Sequence, residues 1–278
     1  MQPIKYLVFD IESVADPQLV AKIHYPGEMI EPNEAVRKFQ DELMKTNGSD
    51  FIPYTFQIPI SIAIAKVSEE LELVSLDVMG KPEHESHQIC KFFWQGWSEK
   101  YKRPTLVSFN GRGFDVPMLE LAAFRYGIPI PEWFGSEMKS FDQPRNRYNS
   151  KYHFDLLDVL TNYGATKFKG GLNLAASILG RPGKMDVQGN MVQCLYDAGE
   201  FLKINDYCLC DVLDTYFVFL RTKMLLGEIS LDQEQELVYK SKLWLEQRAE
   251  NPAFALYLKH WGDWENPWIE SHCTQEQP

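Results

Sequence analysis

The stretch from Tyr6 to Ser13, YLVFDIES, decides how this chain is read. Four apolar or aromatic residues mark a buried strand, which ends by placing Asp10 and Glu12 two residues apart. Side chains at i and i+2 of a strand point the same way, so the two carboxylates stand side by side. Like charges at that spacing raise each other's pKa unless something neutralises them. Two readings follow: a harmless solvated strand end, or a cation held between the acids.

Outward from this strand, residues 17–48 form a polar, helix-tending insertion in which Asn33 is expected to cap EPNEAVRKFQDELMK. Gln57–Val67 and Leu71–Met79 alternate around a short SEE turn and predict an antiparallel hairpin. HQICKFFWQGWSEKY predicts an amphipathic helix and Pro104–Asn110 a buried strand. The turn GRGFD then opens a helix closed by Gly127. YHFDLLDVL predicts a short strand running into a helix, LNLAASILG another helix, and the span from Asp197 to about Leu226 one long helix. This order predicts an α/β fold, a mixed sheet with flanking helices and the opening strand at its centre. Ligands in such sheets sit beyond the carboxyl ends of central strands, where Asp10 falls. Residues 227–278 add two helical runs carrying Trp244, Trp261, Trp264 and Trp268. They are expected to form a C-terminal helical extension packed on a main domain of residues 1–226.

The 278 residues, 45% hydrophobic and 24% charged, describe an ordinary globular chain with ample core. No run approaches the roughly 20 apolar residues of a membrane span. The first residues show no secretory signal pattern, and the five cysteines have no CxxC spacing, so reduced thiols in a cytoplasmic protein are expected. His84 and His87 have no third ligand near them and read as a solvated helix start. The net charge of −11 speaks against a nucleic-acid partner, but its distribution does not. Between Lys139 and Lys184 there are eight basic and three acidic residues, a local charge of +5 in a remainder of −16. That segment, with Arg145, Arg147 and Lys151 at its centre, is the best candidate to hold phosphates, against the ordinary reading of solvated surface.

Two further acidic positions join the first pair. Asp115 follows a strand and opens a helix, the place of an ordinary N-cap. Tyr207 and Asp211, in DYCLCDVLDTY, are one helical turn apart on one face, with Asp214 turned partly away. Taken singly, each has a bland reading.

Taken in order, Asp-x-Glu on a first strand, Asn-x-x-x-Phe-Asp after a later strand and Tyr-x-x-x-Asp on a C-terminal helix resemble the DEDD superfamily of 3′–5′ exonucleases, in its tyrosine variant. The chain is similar in particular to the proofreading domain of family B DNA polymerases in stand-alone form. YLVFDIES, LVSFNGRGFDVPML and INDYCLCDVLDTY carry the match, with LAASILGRPGKMDVQG supporting it, from about Ile4 to Leu226. The histidine variant is excluded, because Asp206 occupies the position five residues before Asp211. The resemblance implies a ribonuclease H-like fold and two divalent cations, Mg²⁺ or Mn²⁺. Asp10 would bridge both ions, Glu12 and Asp211 complete one site, and Asp115 help hold the second through water. Tyr207 would orient the attacking water. Asn110 is placed either as a substrate contact or as a turn cap. Lys184 misses the phosphate-loop spacing, which leaves a backbone-phosphate contact as its expected role. Asp155 and Asp158 read as structural acids. The implied substrate is single-stranded DNA, with RNA and a non-catalytic nucleic-acid-binding module as alternatives. A polymerase or repair partner would be a separate chain.

Overall fold

Alternation along the first strand organises the molecule. The computed structural model describes residues 3–79, 85–183, 185 and 189–268, so His84 and Lys184 lie outside the described residues. Five strands, β1 (Ile4–Ala15), β2 (Gln57–Ser68), β3 (Leu73–Val78), β4 (Thr105–Ser108) and β5 (His153–Asp155), form one mixed sheet in the order β3-β2-β1-β4-β5. β1 pairs antiparallel with β2 and parallel with β4, which puts it at the centre, as the sequence predicts. The hairpin of β2 and β3 is antiparallel, and β5 extends the parallel side.

Odd-numbered Leu7, Phe9 and Ile11 face one layer, with Ile62, Ile64, Phe93, Trp94 and Leu119. That layer is built by α3 (Ser86–Gln95) and α4 (Asp115–Tyr126), after α1 (Pro17–His24) and α2 (Pro32–Asn47) of the insertion. Even-numbered Val8 faces the other layer, where Ala63 and Ala65 leave room for Val212, Leu213, Phe217 and Leu220. Short helices α5 (Pro131–Phe134), α6 (Leu156–Thr161), α7 (Gly171–Ile178) and α8 (Val192–Asp197) lead to the 25-residue α9 (Phe201–Leu225) in that layer. Because side chains alternate with period two, Asp10 and Glu12 continue the even face and point at α9.

A helix buried on nearly all sides needs cover opposite the sheet. The last helices, α10 (Leu231–Glu246) and α11 (Pro252–Lys259), supply it through Leu237, Leu245, Phe254 and Tyr257, which share a cluster with α9. The Trp261 indole lies 5.2 Å from the Phe217 ring and receives the Arg181 guanidinium at 3.7 Å, whereas Trp268 is 81% exposed. α1 and α2 keep a small core of their own, formed by Val20, Tyr25, Ala35, Val36, Phe39 and Ile52.

Two local expectations are corrected. Asn33 does not cap α2: the helix starts at Pro32, whose fixed φ suits a first turn, with Glu31 in the cap position. The long helix does not begin at Asp197 either, because Gly199 takes φ 75° and separates α8 from α9.

Candidate active site

The carboxyl half of β1 places its acids among small neighbours. Asp10 lies opposite Ala63 and Glu12 opposite Ser61, just before a register shift at Ser13. Glu12 is buried and Asp10 partly so. Burial pushes both carboxyls well above the usual carboxylate range. Repulsion adds to it, from Asp115 and Asp211 at Asp10, and from Asp10, Asp211 and Asp115 at Glu12.

Asp115 is the first residue of α4 rather than its cap, a position taken by Phe114. The loop delivering it is built on Asp155, whose carboxylate accepts the N–H groups of Asn110 at 2.9 Å, Arg112 at 2.8 Å and Leu157 at 3.0 Å. Asp158 pairs with Arg112 at 3.2 Å. Both acids therefore hold structure, and Asp155 lies close enough to raise Asp115 electrostatically. Gly111 is required by close approach: a Cβ there would lie 2.2 Å from Ser108 Oγ and 3.3 Å from Asp115 Oδ2. Beneath it Ser108 Oγ meets Nε2 of His153 at 2.7 Å, and burial keeps that imidazole neutral. Burial moves Asp115 up to about 7, against the lowering effect of hydrogen bonds from its own N–H and that of Ile11.

From α9, the Tyr207 hydroxyl donates to Asp211, one turn along. Burial first, and then Asp211, Glu12 and Asp10, push the phenol well above its ordinary value, so it stays protonated. The four acids and the tyrosine thus meet electrostatically at one end of the central strand. Among the described residues no Lys, Arg or His forms an ion pair with Asp10, Glu12 or Asp115. Asp214 is turned away, buried, and accepts the Tyr257 hydroxyl at 2.7 Å, which ties α11 to α9; burial moves it to about 8.

One neighbour carries no motif of its own in the sequence. Cys208 Sγ and carboxylate oxygens of Asp10 and Glu12 all lie within 4.8 Å of one another, a group able to hold a metal ion. The thiol donates to the Asp10 carbonyl at 3.4 Å, and burial with the nearby acids holds it protonated. Its signal in the sequence is only its place beside Tyr207, on the turn of α9 that meets β1.

Asn110 is exposed and takes φ 66°, which suits the turn role; it also borders a cavity of ≈ 350 Å³ with Arg112, Arg145 and Arg147. The arginines there are already matched. Arg145 forks onto Glu120 at 2.9 Å through two nitrogens, and Arg147 reaches Asp158 at 3.4 Å. A different cleft of ≈ 460 Å³ opens beside Asp211, lined by Gly170, Gly171, Leu172, Asn173, Gly183 and Asp214. His87, in the first turn of α3, lies 3.3 Å from Glu85 and packs edge-on against the Tyr126 ring at 6.0 Å.

A mixed five-stranded sheet with helices on both faces and β1 at its centre is a ribonuclease H-like architecture. The chain belongs to a family described as predicted 3′–5′ exonucleases related to the exonuclease domain of PolB, whose sequence profile matches residues 49–261. The match includes Asp115, Tyr207 and Asp211, and it runs through α10 and α11; Asp10 and Glu12 precede it in sequence and join through the β1 pairing. No curated protein matches the chain. Among the described residues no helix is long and apolar enough to cross a membrane.

Proposed function

We propose that the chain hydrolyses single-stranded DNA from its 3′ end, releasing nucleoside monophosphates, with two Mg²⁺ or Mn²⁺ ions held by Asp10, Glu12, Asp115 and Asp211. The observation that carries this reading is the convergence of Asp10, Glu12 and Asp115, whose carboxyls are raised first by burial, with Asp211 adding repulsion at Asp10 and Glu12 and no cation of the protein among the main causes. Such a set of oxygen donors suits a hard divalent ion, while the protonated Cys208 offers no competing thiolate. When bound, the ions supply Lewis-acid assistance to the attacking water and to the departing 3′ oxygen. Asp10, Glu12 and Asp211 would hold one ion, and Asp10 with Asp115 the other.

The chain's own part is orientation. Water attacks the terminal phosphorus as the bond to the 3′ oxygen breaks, leaving a nucleoside 5′-monophosphate and a shortened strand with a new 3′ hydroxyl. Tyr207, kept protonated, aligns the water by a hydrogen bond rather than acting as its base. Tyr207→Phe keeps the ring and deletes the hydroxyl, so metal affinity should hold while the chemical step slows on the order of 10–10³-fold. Single-turnover rates at saturating Mg²⁺ read this directly. A phenylalanine variant as fast as wild type would remove the hydroxyl from the reaction.

Since Arg145 and Arg147 are matched, Lys167 and Lys169 are the better phosphate ligands: both are exposed, and Lys169 immediately precedes the glycines lining the Asp211 cleft. Among the described residues neither forms an ion pair with an acid. Replacing both by Ser should lower the slope of log affinity against log salt by roughly 0.7 for each phosphate no longer neutralised. An unchanged slope would route the strand elsewhere.

The deciding experiment follows matched DNA and RNA oligomers, single- and double-stranded and labelled at either end, with Mg²⁺, Mn²⁺ or chelator. Metal-dependent shortening of single-stranded DNA from its 3′ end is expected. Shortening from the 5′ end, or undiminished activity in chelator, overturns the proposal. Activity on RNA alone transfers the same chemistry to the other sugar.

A further inference from the structure

Between α5 and β5, residues 135–152 run without a helix or strand. A loop of that length inside a compact domain is uncommon, and usually either functional or disordered. This one is held in place. The side-chain amide of Asn146 donates to the Ser140 carbonyl at 2.8 Å, that of Asn149 to the Asp142 carbonyl at 3.1 Å, and the Arg145 N–H to the Trp133 carbonyl at 3.2 Å. What the loop holds out is Tyr148, 69% exposed, its ring centroid 5.2 Å from that of Tyr163 at the end of α6. Tyr163 and its neighbour Asn162 take φ 55° and 51°, a region that bulky side chains rarely enter. Such strain persists only where the surroundings impose it. Arg147 does so here, donating to the Tyr163 carbonyl at 3.2 Å with its guanidinium 6.0 Å from the Tyr148 ring. The charge around the two rings has one sign. From Gln143 to Gly171 every exposed charged side chain is positive (Arg145, Arg147, Lys151, Lys167 and Lys169), whereas Asp155 is buried and Asp158 half-buried. Tyr163 also lies seven residues before Gly170 of the Asp211 cleft, a reach of at most roughly 24 Å.

We propose that the ring pair of Tyr148 and Tyr163 is a second nucleic-acid contact, outside the cleft, where a base of the single strand stacks upstream of the nucleotides being removed. The inference rests on the exonuclease reading above and deepens it. Lys167 and Lys169 lie along the chain between the rings and the cleft, so one strand can meet stacking, then charge, then the acids. Every base has a π-face, and cations beside an aromatic platform are the usual way to hold a single strand without reading its sequence. The contact therefore favours substrates long enough to span from cleft to rings. At the 3.4 Å spacing of stacked nucleotides that span is at most about seven nucleotides.

The test reads binding and cleavage separately. In chelator, where nothing is hydrolysed, the affinity for a labelled single strand well beyond that span is measured over a range of salt. Tyr148→Ser should raise Kd roughly 5- to 100-fold, the range expected for loss of one base–aromatic stack. The slope of log affinity against log salt should stay that of wild type, because a stacked base neutralises no phosphate. Tyr148→Phe, which keeps the ring, should bind as wild type does. Tyr163→Asn removes the other ring but keeps a residue that tolerates the left-handed region, so it should weaken binding and yet melt no lower than wild type. With Mg²⁺ the same factor should appear in kcat/KM for the long strand, and wild type and variants should converge on a dinucleotide too short to reach the rings. Unchanged affinity in Tyr148→Ser and Tyr163→Asn, a loss that comes with a flatter salt slope, or an equal loss on the dinucleotide overturns the contact while leaving the exonuclease intact. A wild type that binds the long strand through both tyrosines and hydrolyses nothing upholds the contact and overturns the exonuclease reading.

Discussion

Asp10→Ala is expected to lower 3′–5′ hydrolysis by on the order of 10³-fold or more, because losing a carboxylate proposed to hold the ions would remove Lewis-acid assistance worth several kcal/mol, at about 1.4 kcal/mol per tenfold in rate. Glu12→Ala and Asp211→Ala should fall with it. None of the three should unfold the protein. Burial and mutual repulsion already raise the carboxyls of Asp10 and Glu12, so deleting one acid relieves its neighbours, and the ion-free variants should melt no lower than the ion-free parent. Asp155→Ala supplies the contrast. It removes the acceptor for the N–H groups of Asn110, Arg112 and Leu157 and should cost on the order of 1–3 kcal/mol for each donor left buried and unpaired. Single-turnover cleavage of a 3′-labelled strand, with a urea melt of each variant, separates the two behaviours. Wild-type turnover by any of the three purified site variants would refute the assignment.

The second large effect concerns pH and metal together. In chelator, burial raises Asp115 to about 7 and Asp214 to about 8, far above an unfolded aspartate. Between the unfolded and the folded pKa the folded chain binds more protons than the unfolded one. Stability therefore falls as pH rises through that window, by up to about 1.4 kcal/mol for each unit that separates the two values. The ion-free protein should melt progressively lower from pH 5 to pH 8. Mg²⁺ or Mn²⁺ binds the folded, ionised site and not the unfolded chain, so it should reverse much of the loss, by about 2.7 kcal/mol at a hundred times its Kd. The gain should be largest at the alkaline end, where the ligands are already deprotonated. Asp214→Asn should flatten part of the slope, because it removes one of the two raised carboxyls, the one that accepts the Tyr257 hydroxyl. A melting temperature that climbs with pH in chelator, or ignores Mg²⁺ at pH 8, would contradict this account.

Periodicity made much of the architecture legible before any coordinates. The period-two alternation of β1 already required Asp10 and Glu12 to share a face, and the 3.6-residue turn already required Tyr207 and Asp211 to share another. The order of strands and crossovers set β1 at the centre, which left one place for those faces to meet. Such features depend on neighbours within a few residues or on connection rules, and both are written along the chain. Pairings between distant segments are not. The positive run from Lys139 to Lys184 read as a phosphate track, but Arg145 is matched by Glu120, 25 residues away, and Arg147 by Asp158. In sequence Asp214 reads only as an acid turned partly away from Tyr207 and Asp211, and its partner, Tyr257, comes from α11. Cys208 was one thiol among several until packing brought it beside Asp10 and Glu12, nearly 200 residues earlier in the chain. Charge and burial at these positions depend on which surfaces close on each other. That is decided by the packing of α9 between the sheet and the last two helices, where no local pattern reaches.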